Sequence, residues 1–207
     1  RLVMKVWCLV YKEKNMNNKN NLLEYDEVCP YSEGRAAVRK GEFWGYVDEN
    51  GKLVSTDFTR SGNPPGLPYN YAEPFCDGWA VVHNKGAQDE YCHLIDRNCN
   101  PMMVDGEYIY SGDTMRNGVS IVGFDYFEDY RECFVDKDCH VLSDRFEEIS
   151  YIGKKGIPYS DFGIYAMVRN GYKYGLLNVK SFKLELPCEY GWTDFWEEIE
   201  RLGISFE

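Results

Sequence analysis

The chain has 207 residues, 44% of them hydrophobic, enough for one ordinary core or a row of small ones. Aromatics make up 16% and the formal net charge is −11, so the surface repels phosphate backbones and anionic lipid. The balance argues against direct nucleic-acid binding and membrane association, and a basic protein partner is compatible with it.

The N-terminal stretch RLVMKVWCLVYKEKNMNN is apolar at first, but Lys5 interrupts it and no small-residue cleavage site follows. It reads as strand rather than signal peptide, and residues 1–24 are expected to hold a partial N-terminal repeat and a linker. No stretch approaches the ~20 apolar residues that a membrane-spanning helix needs. Because the chain begins with Arg, an upstream signal is left open.

Further along, one figure recurs: GRAAV (34–38), GWAVV (78–82), GVSIV (118–122) and, one residue longer, GIYAMV (163–168). Ala36, Ala80, Ser120 and Ala166 are its small residues; Val38, Val82, Val122 and Val168 close it. After each valine a second apolar element follows, FWGYVD, YCHLID, RECFVD or KYGLLN, then a turn and a third short run, GKLV, NPMMV, HVL or FKLEL. Each unit reads as strand, turn, strand, turn, strand. Ala36 and Val38 share one face of the first strand, and Arg35, Ala37 and Arg39 the other. In the second strand Trp44 and Tyr46 oppose Phe43 and Val47, so both faces need cover from neighbours. DENG (48–51) reads as a hairpin turn, and the prolines and glycines of TRSGNPPGLPYN (59–70) keep that segment out of a sheet interior.

At the end, GWTDFWEEIERLGISFE has helical spacing. Asp194 and Glu197 suit a capping box, and Phe195, Ile199 and Leu202 fall on one face. The expected fold is all-β: tandem three-stranded antiparallel β-meanders stacked into an elongated or curled array, with a short C-terminal capping helix. The repeat domain is expected over 25–190, in units 25–70, 71–107, 108–144 and 145–190, and the capping helix over 191–207.

The segment YDEVCPYSEGRAAVRKGEFWGYVDENGKLV resembles a WG-repeat unit, with Tyr25, PYSEG (30–34), Trp44-Gly45 and DENG in order. The second unit keeps PFCDG (74–78) but has Cys92-His93 in place of Trp-Gly; the third lacks both signatures, and the fourth has Tyr174-Gly175. WG-repeat proteins are bacterial β-rich repeat proteins, generally without an assigned activity. The resemblance therefore implies a binding or scaffold role and no catalytic residues.

Candidate chemistry is sparse. Asp96, Asn98, Asn100 and Glu107 stand at EF-hand loop positions, but Pro101 occupies the place of the turning glycine, and the segment aligns with the repeat turns. Cys92, His93, Cys99, Cys133, Cys139 and His140 are zinc-ligand types, yet Cys99 and Cys139 are equivalent repeat positions, so their spacing needs no metal. GVSIVG lacks the second glycine of a nucleophile elbow. No cofactor, metal or catalysis is expected. The eight cysteines contain no CxxC and read as scattered thiols, which points to a cytoplasmic location and leaves an extracytoplasmic one open.

Ten aromatics, Trp44, Tyr46, Trp79, Tyr108, Tyr110, Tyr126, Phe127, Tyr130, Tyr172 and Tyr174, could line a groove, although filling the inter-repeat core explains most of them. The insert GFDYFEDYRE (123–132) is different: a long, acidic, aromatic hairpin tip that a repeat core does not require. The expected partner-binding residues are Tyr126, Phe127, Glu128, Asp129 and Tyr130, with Trp79. The expected role is a protein-interaction or scaffold module. The alternatives are an acidic inhibitor or immunity-type protein that neutralises a basic partner, and a polysaccharide-binding module.

Overall fold

A computed structural model describes residues 22–54, 67–85, 90–126, 129–152 and 164–204, with backbone alone at 84–85, 90–91 and 125–126. Among the described residues the fold is all-β, built of small antiparallel sheets, with one helix near the C-terminal end. Residues 1–118 and 119–207 form two compact units. Residues 1–21, which carry the expected partial repeat, lie outside the described residues.

In the first unit β1 (Glu27–Val28), β2 (Arg35–Lys40) and β3 (Phe43–Asp48) form one sheet. A second contains β4 (Tyr71–Ala72), β5 (Trp79–Lys85) and β6 (Glu90–Asp96). A small hairpin of β7 (Met103–Val104) and β8 (Glu107–Tyr108) precedes β9 (Ser111–Gly112). The registers Val38↔Gly45 and Val82↔His93 place Trp44-Gly45 and Cys92-His93 at the same repeat positions.

The third strand of these meanders is not the expected downstream run. GKLV and NPMMV touch the sheets through single bridges, Leu53 to Val47 and Pro101 to Ile95, whereas β1 and β4 come from the segment before the recurring glycine. A side chain closes the turn before each run. Asp48 Oδ1 accepts the N–H groups of Asn50 and Lys52 at 2.9 Å each, and Asp96 Oδ1 those of Asn98 and Asn100 at 2.8 Å each. Each run adds one further backbone bond, from the Val54 N–H to the Tyr46 carbonyl at 2.8 Å and from the Met102 N–H to the Leu94 carbonyl at 2.7 Å.

The acid-glycine pairs are two-residue hairpin turns. Glu33 and Gly34 have φ of 51° and 80°, Asp77 and Gly78 52° and 91°, the left-handed pair of a type I′ turn. Ser32 and Arg35 close the first turn by exchanging both backbone hydrogen bonds, at 2.8 and 3.0 Å, and Cys76 and Trp79 close the second at 2.8 and 3.1 Å. These turns also tie successive repeats together. The Glu33 carboxylate accepts the Gly78 N–H at 2.9 Å, and the Asp77 carboxylate accepts the Gly118 N–H at 2.8 Å. The acid of one repeat thus holds the glycine amide of the next.

Both faces of the first sheet are covered, as its pattern requires. Ala36, Val38 and Val47 pack with Leu67, and with Phe43, on one side. On the other, Ala37, Tyr46 and Trp44 pack with Tyr69, Ala72, Phe75, Val82 and Ile95 of the second repeat. The Tyr46 ring is 1% exposed, and its hydroxyl donates to the Glu73 carbonyl at 2.7 Å. Trp44 and Tyr69 exchange backbone hydrogen bonds at 2.7 and 3.1 Å, so the tryptophan position is where the next repeat begins to pair.

The second unit holds the hairpin β10 (Val119–Tyr126) and β11 (Asp129–Asp136), then a sheet of β12 (Glu148–Ile152), β13 (Tyr165–Asn170), β14 (Lys173–Asn178) and β15 (Lys183–Tyr190). Here the downstream run does form a full strand, making this sheet four-stranded. Its registers Val122↔Cys133 and Val168↔Gly175 continue the repeat alignment. Glu132, at the tryptophan position, exchanges backbone hydrogen bonds with Phe146 at 2.7 and 2.8 Å, repeating the Trp44–Tyr69 link. Ile121 and Phe134 pack against Phe146, Ile149, Ala166, Val168 and Leu177.

The helix α1 (Trp192–Arg201) buries Phe195 and Ile199 against Leu176 and Leu186, covering the other face of the last sheet. Two details differ from the sequence reading. The helix begins at Trp192 with Gly191 as N-cap and no side-chain cap hydrogen bond, so Asp194 sits inside the first turn and no Asp194–Glu197 capping box forms. There the Asp194 carboxylate still favours the helix dipole. Leu202 is the C-cap, where the backbone leaves the helix, and it is 45% exposed rather than part of the buried face.

Candidate interaction surface

Two hairpins exceed the repeat, β5–β6 and β10–β11, and the second is paired further. β2 and β13 each run two residues past their repeat valine, to Lys40 and Asn170, β5 runs three past Val82, to Lys85, and β10 runs four past Val122, to Tyr126. At ~3.3 Å per residue the excess of β10 over β2 and β13 adds about 7 Å to each strand of its hairpin. Pairing continues to the end, with Asp125↔Tyr130 and Tyr126↔Asp129.

The base of the hairpin is pinned by polar contacts. Glu132 Oε2 accepts the Ile149 N–H at 2.6 Å, and Oε1 accepts the Tyr130 hydroxyl at 3.0 Å. Arg131 pairs with Asp129 at 2.7 Å and Glu147 at 3.6 Å, and donates to Asn170 Oδ1 at 3.2 Å. Asp129 is exposed and Tyr130 half-buried. The Tyr126 side chain and the whole of Phe127 and Glu128 lie outside the described residues.

Trp79 belongs to the first unit, half-buried at the start of β5 beside the Asp77-Gly78 turn. The other groove aromatics divide. Tyr46 is buried, Trp44 and Tyr174 pack partly against core clusters, and Tyr108 and Tyr172 are 62% and 93% exposed.

The metal-ligand types are dispersed into local roles. His140 Nδ1 lies 3.0 Å from Asp136 Oδ2, within its own turn, and the Cys92 thiol donates to the Gly112 carbonyl at 3.2 Å. Among the described residues no group of three or more such side chains could hold a metal ion. Burial pushes the Cys99 thiol up to about 11, and it raises the thiols of Cys76, Cys139 and Cys188 as well. Those four are thereby made poorer nucleophiles. The EF-hand-like residues are likewise turn residues: Asp96 caps its own loop, and Glu107 lies in β8 after the Asp105-Gly106 turn. No helix of the described residues is long and apolar enough to cross a membrane.

The family model described as "WG containing repeat" matches residues 22–42, which are β1, the Glu33-Gly34 turn and β2. The match supports a WG-repeat protein. Trp44-Gly45 of the WG repeat lies just past the matched segment, at the pairing position where the next repeat attaches. No curated protein matches the chain. Among solved structures, a crystal structure of the tricorn protease is similar over 78% of this chain and 16% of that one, at 13% identity and a TM-score of 0.31. The chain thus spans a small part of that protein's length, and at that score the likeness carries no argument.

What the sequence did not reveal are the contacts between repeats. The Glu33–Gly78 and Asp77–Gly118 hydrogen bonds join residues more than 40 positions apart. The signal available was the recurrence of an acid or amide directly before each glycine, at Glu33, Asp77 and Asn117.

Proposed function

We propose that this WG-repeat chain is a non-catalytic protein-interaction module whose contact surface is the β10–β11 hairpin, with Tyr126, Phe127, Glu128, Asp129 and Tyr130 at its end. The observation that supports this is the paired length of the hairpin, two residue pairs more than in the first and fourth repeats and one more than in the second, on a base fixed by Glu132 and Arg131. Repeat stacking gains nothing from such an extension, whereas an acidic, aromatic tip supplies ring anchors and charge for a partner. With a net charge of −11, the partner expected is a protein bearing a basic patch.

Affinity capture from the native host, at low and at moderate salt, tests the proposal. A partner that survives moderate salt and is lost from the Tyr126→Ala/Tyr130→Ala variant supports it. Retention of carbohydrate alone, or a partner indifferent to that variant, overturns the assignment of this surface. A basic nuclease released steeply by salt would favour the inhibitor reading instead.

A further inference from the structure

The pair of positions that face each other beside the Trp-Gly dipeptide changes chemistry in the second repeat. In the first, Arg39 is opposite Trp44, its guanidinium 5.9 Å from the ring centroid. In the fourth, Arg169 is opposite Tyr174. In the second, both partners are replaced together, and His83 is opposite Cys92. His83 Nε2 lies 3.8 Å from Cys92 Sγ. The imidazole also makes a T-shaped contact with the Tyr71 ring, with centroids 5.4 Å apart, and Tyr71 in turn meets Trp44 at 5.9 Å.

We propose that His83 and Cys92 form a thiol–imidazole pair that makes Cys92 the preferred site, among the described cysteines, of covalent modification by a small-molecule disulfide. Both residues are half-buried, so a small reagent can reach the sulfur while the strands fix its neighbour. The thiol donates to the Gly112 carbonyl at 3.2 Å, and in the tautomer that leaves Nε2 unprotonated His83 is a second acceptor for it. Only the imidazole can take the proton away. Transfer to Nε2 leaves a thiolate next to an imidazolium, the arrangement that activates cysteine nucleophiles. The thiolate then attacks one sulfur of the disulfide: a Cys92 S–S bond forms, the reagent's S–S bond breaks, and the departing thiolate collects the proton from His83. The products are one mixed disulfide and one free small thiol, with no other oxidant consumed. Cys76, Cys99, Cys139 and Cys188, whose thiols burial raises, are the internal comparison.

The test is brief exposure of the intact chain to oxidised glutathione at pH 7.5, an acid quench, and peptide mapping by mass spectrometry. The expected result is glutathionylation of Cys92 ahead of the other described cysteines. The variant His83→Gln is expected to slow modification of Cys92 at least fivefold and leave the rest unchanged. Labelling that follows exposure alone, led by another described cysteine, would overturn the proposal, as would an unaltered Cys92 rate in His83→Gln. The wild-type map stands even if the variant fails to fold.

Discussion

Gly175, the glycine of the fourth repeat's Tyr174-Gly175, offers a direct test of why this position is small. A Cβ built there would lie 2.8 Å from the Leu186 carbonyl oxygen, 2.9 Å from Cys188 Sγ and 3.0 Å from the Cys188 nitrogen. Two of the three obstacles are backbone of β15, which crosses β14 with register shifts between Tyr174 and Leu177. Side-chain rotation therefore cannot relieve Gly175→Ala, and the strand itself has to move. Overpacking of this kind costs about 1–3 kcal/mol, and the backbone contacts place the expected loss in the upper half, about 2–3 kcal/mol. For a chain of this size that lowers the melting temperature by roughly 4–12 °C. Thermal unfolding followed by circular dichroism, with urea titration at 25 °C, measures it. In the double variant Gly175→Ala/Cys188→Ala only the sulfur is removed, so less than half of the loss is expected to return. A change under 0.5 kcal/mol in Gly175→Ala, or full rescue in the double variant, would refute the close-approach reasoning.

Cys139 holds a left-handed backbone, φ 67°, at the turn position where the first repeat has Gly51. Cys139→Gly is expected to stabilise by about 0.5–1 kcal/mol in urea unfolding, whereas Cys99→Gly, at φ 64° but buried, should gain less because packing is lost. Tyr46→Phe removes a buried hydroxyl and orphans the Glu73 carbonyl, and should cost about 1–2 kcal/mol by the same assay. Burial pushes the Glu33 carboxyl up, but the Arg97 guanidinium and the Gly78 N–H outweigh it and hold it below the ordinary range. Its contribution is therefore present above the unfolded carboxylate pKa and lost as pH falls through the lower folded value. The stability difference between wild type and Glu33→Gln should be larger at pH 6.5 than at pH 3, and equal differences would contradict the ladder.

The alternation in 35–48 made both covered faces legible, because Val47 and Tyr46 point to opposite sides and each is apolar. The valine spacing likewise gave the register that the strand pairs show. Strand order within a meander was less legible. The same side-chain-closed turn precedes a bridged run at Asp48 and Asp96 and a full strand at Asn178, so the turn residues do not tell the two outcomes apart. The helix start was misread because Asp194 suits an N-cap by type, while packing of Phe195 and Ile199 sets the first turn at Trp192. At the candidate surface, residue types alone marked the long hairpin. The fixing of its base by Glu132 and Arg131 depends on the neighbouring repeat and has no local signature.

The most direct test of the interaction surface is site-specific photo-crosslinking in the native host, with a benzophenone amino acid at position 130 and, as control, at position 172, the fully exposed tip of the β13–β14 hairpin. A covalent adduct with one protein from position 130, absent from position 172, is the predicted result. No adduct at 130, or the same adducts from both positions, would contradict the account.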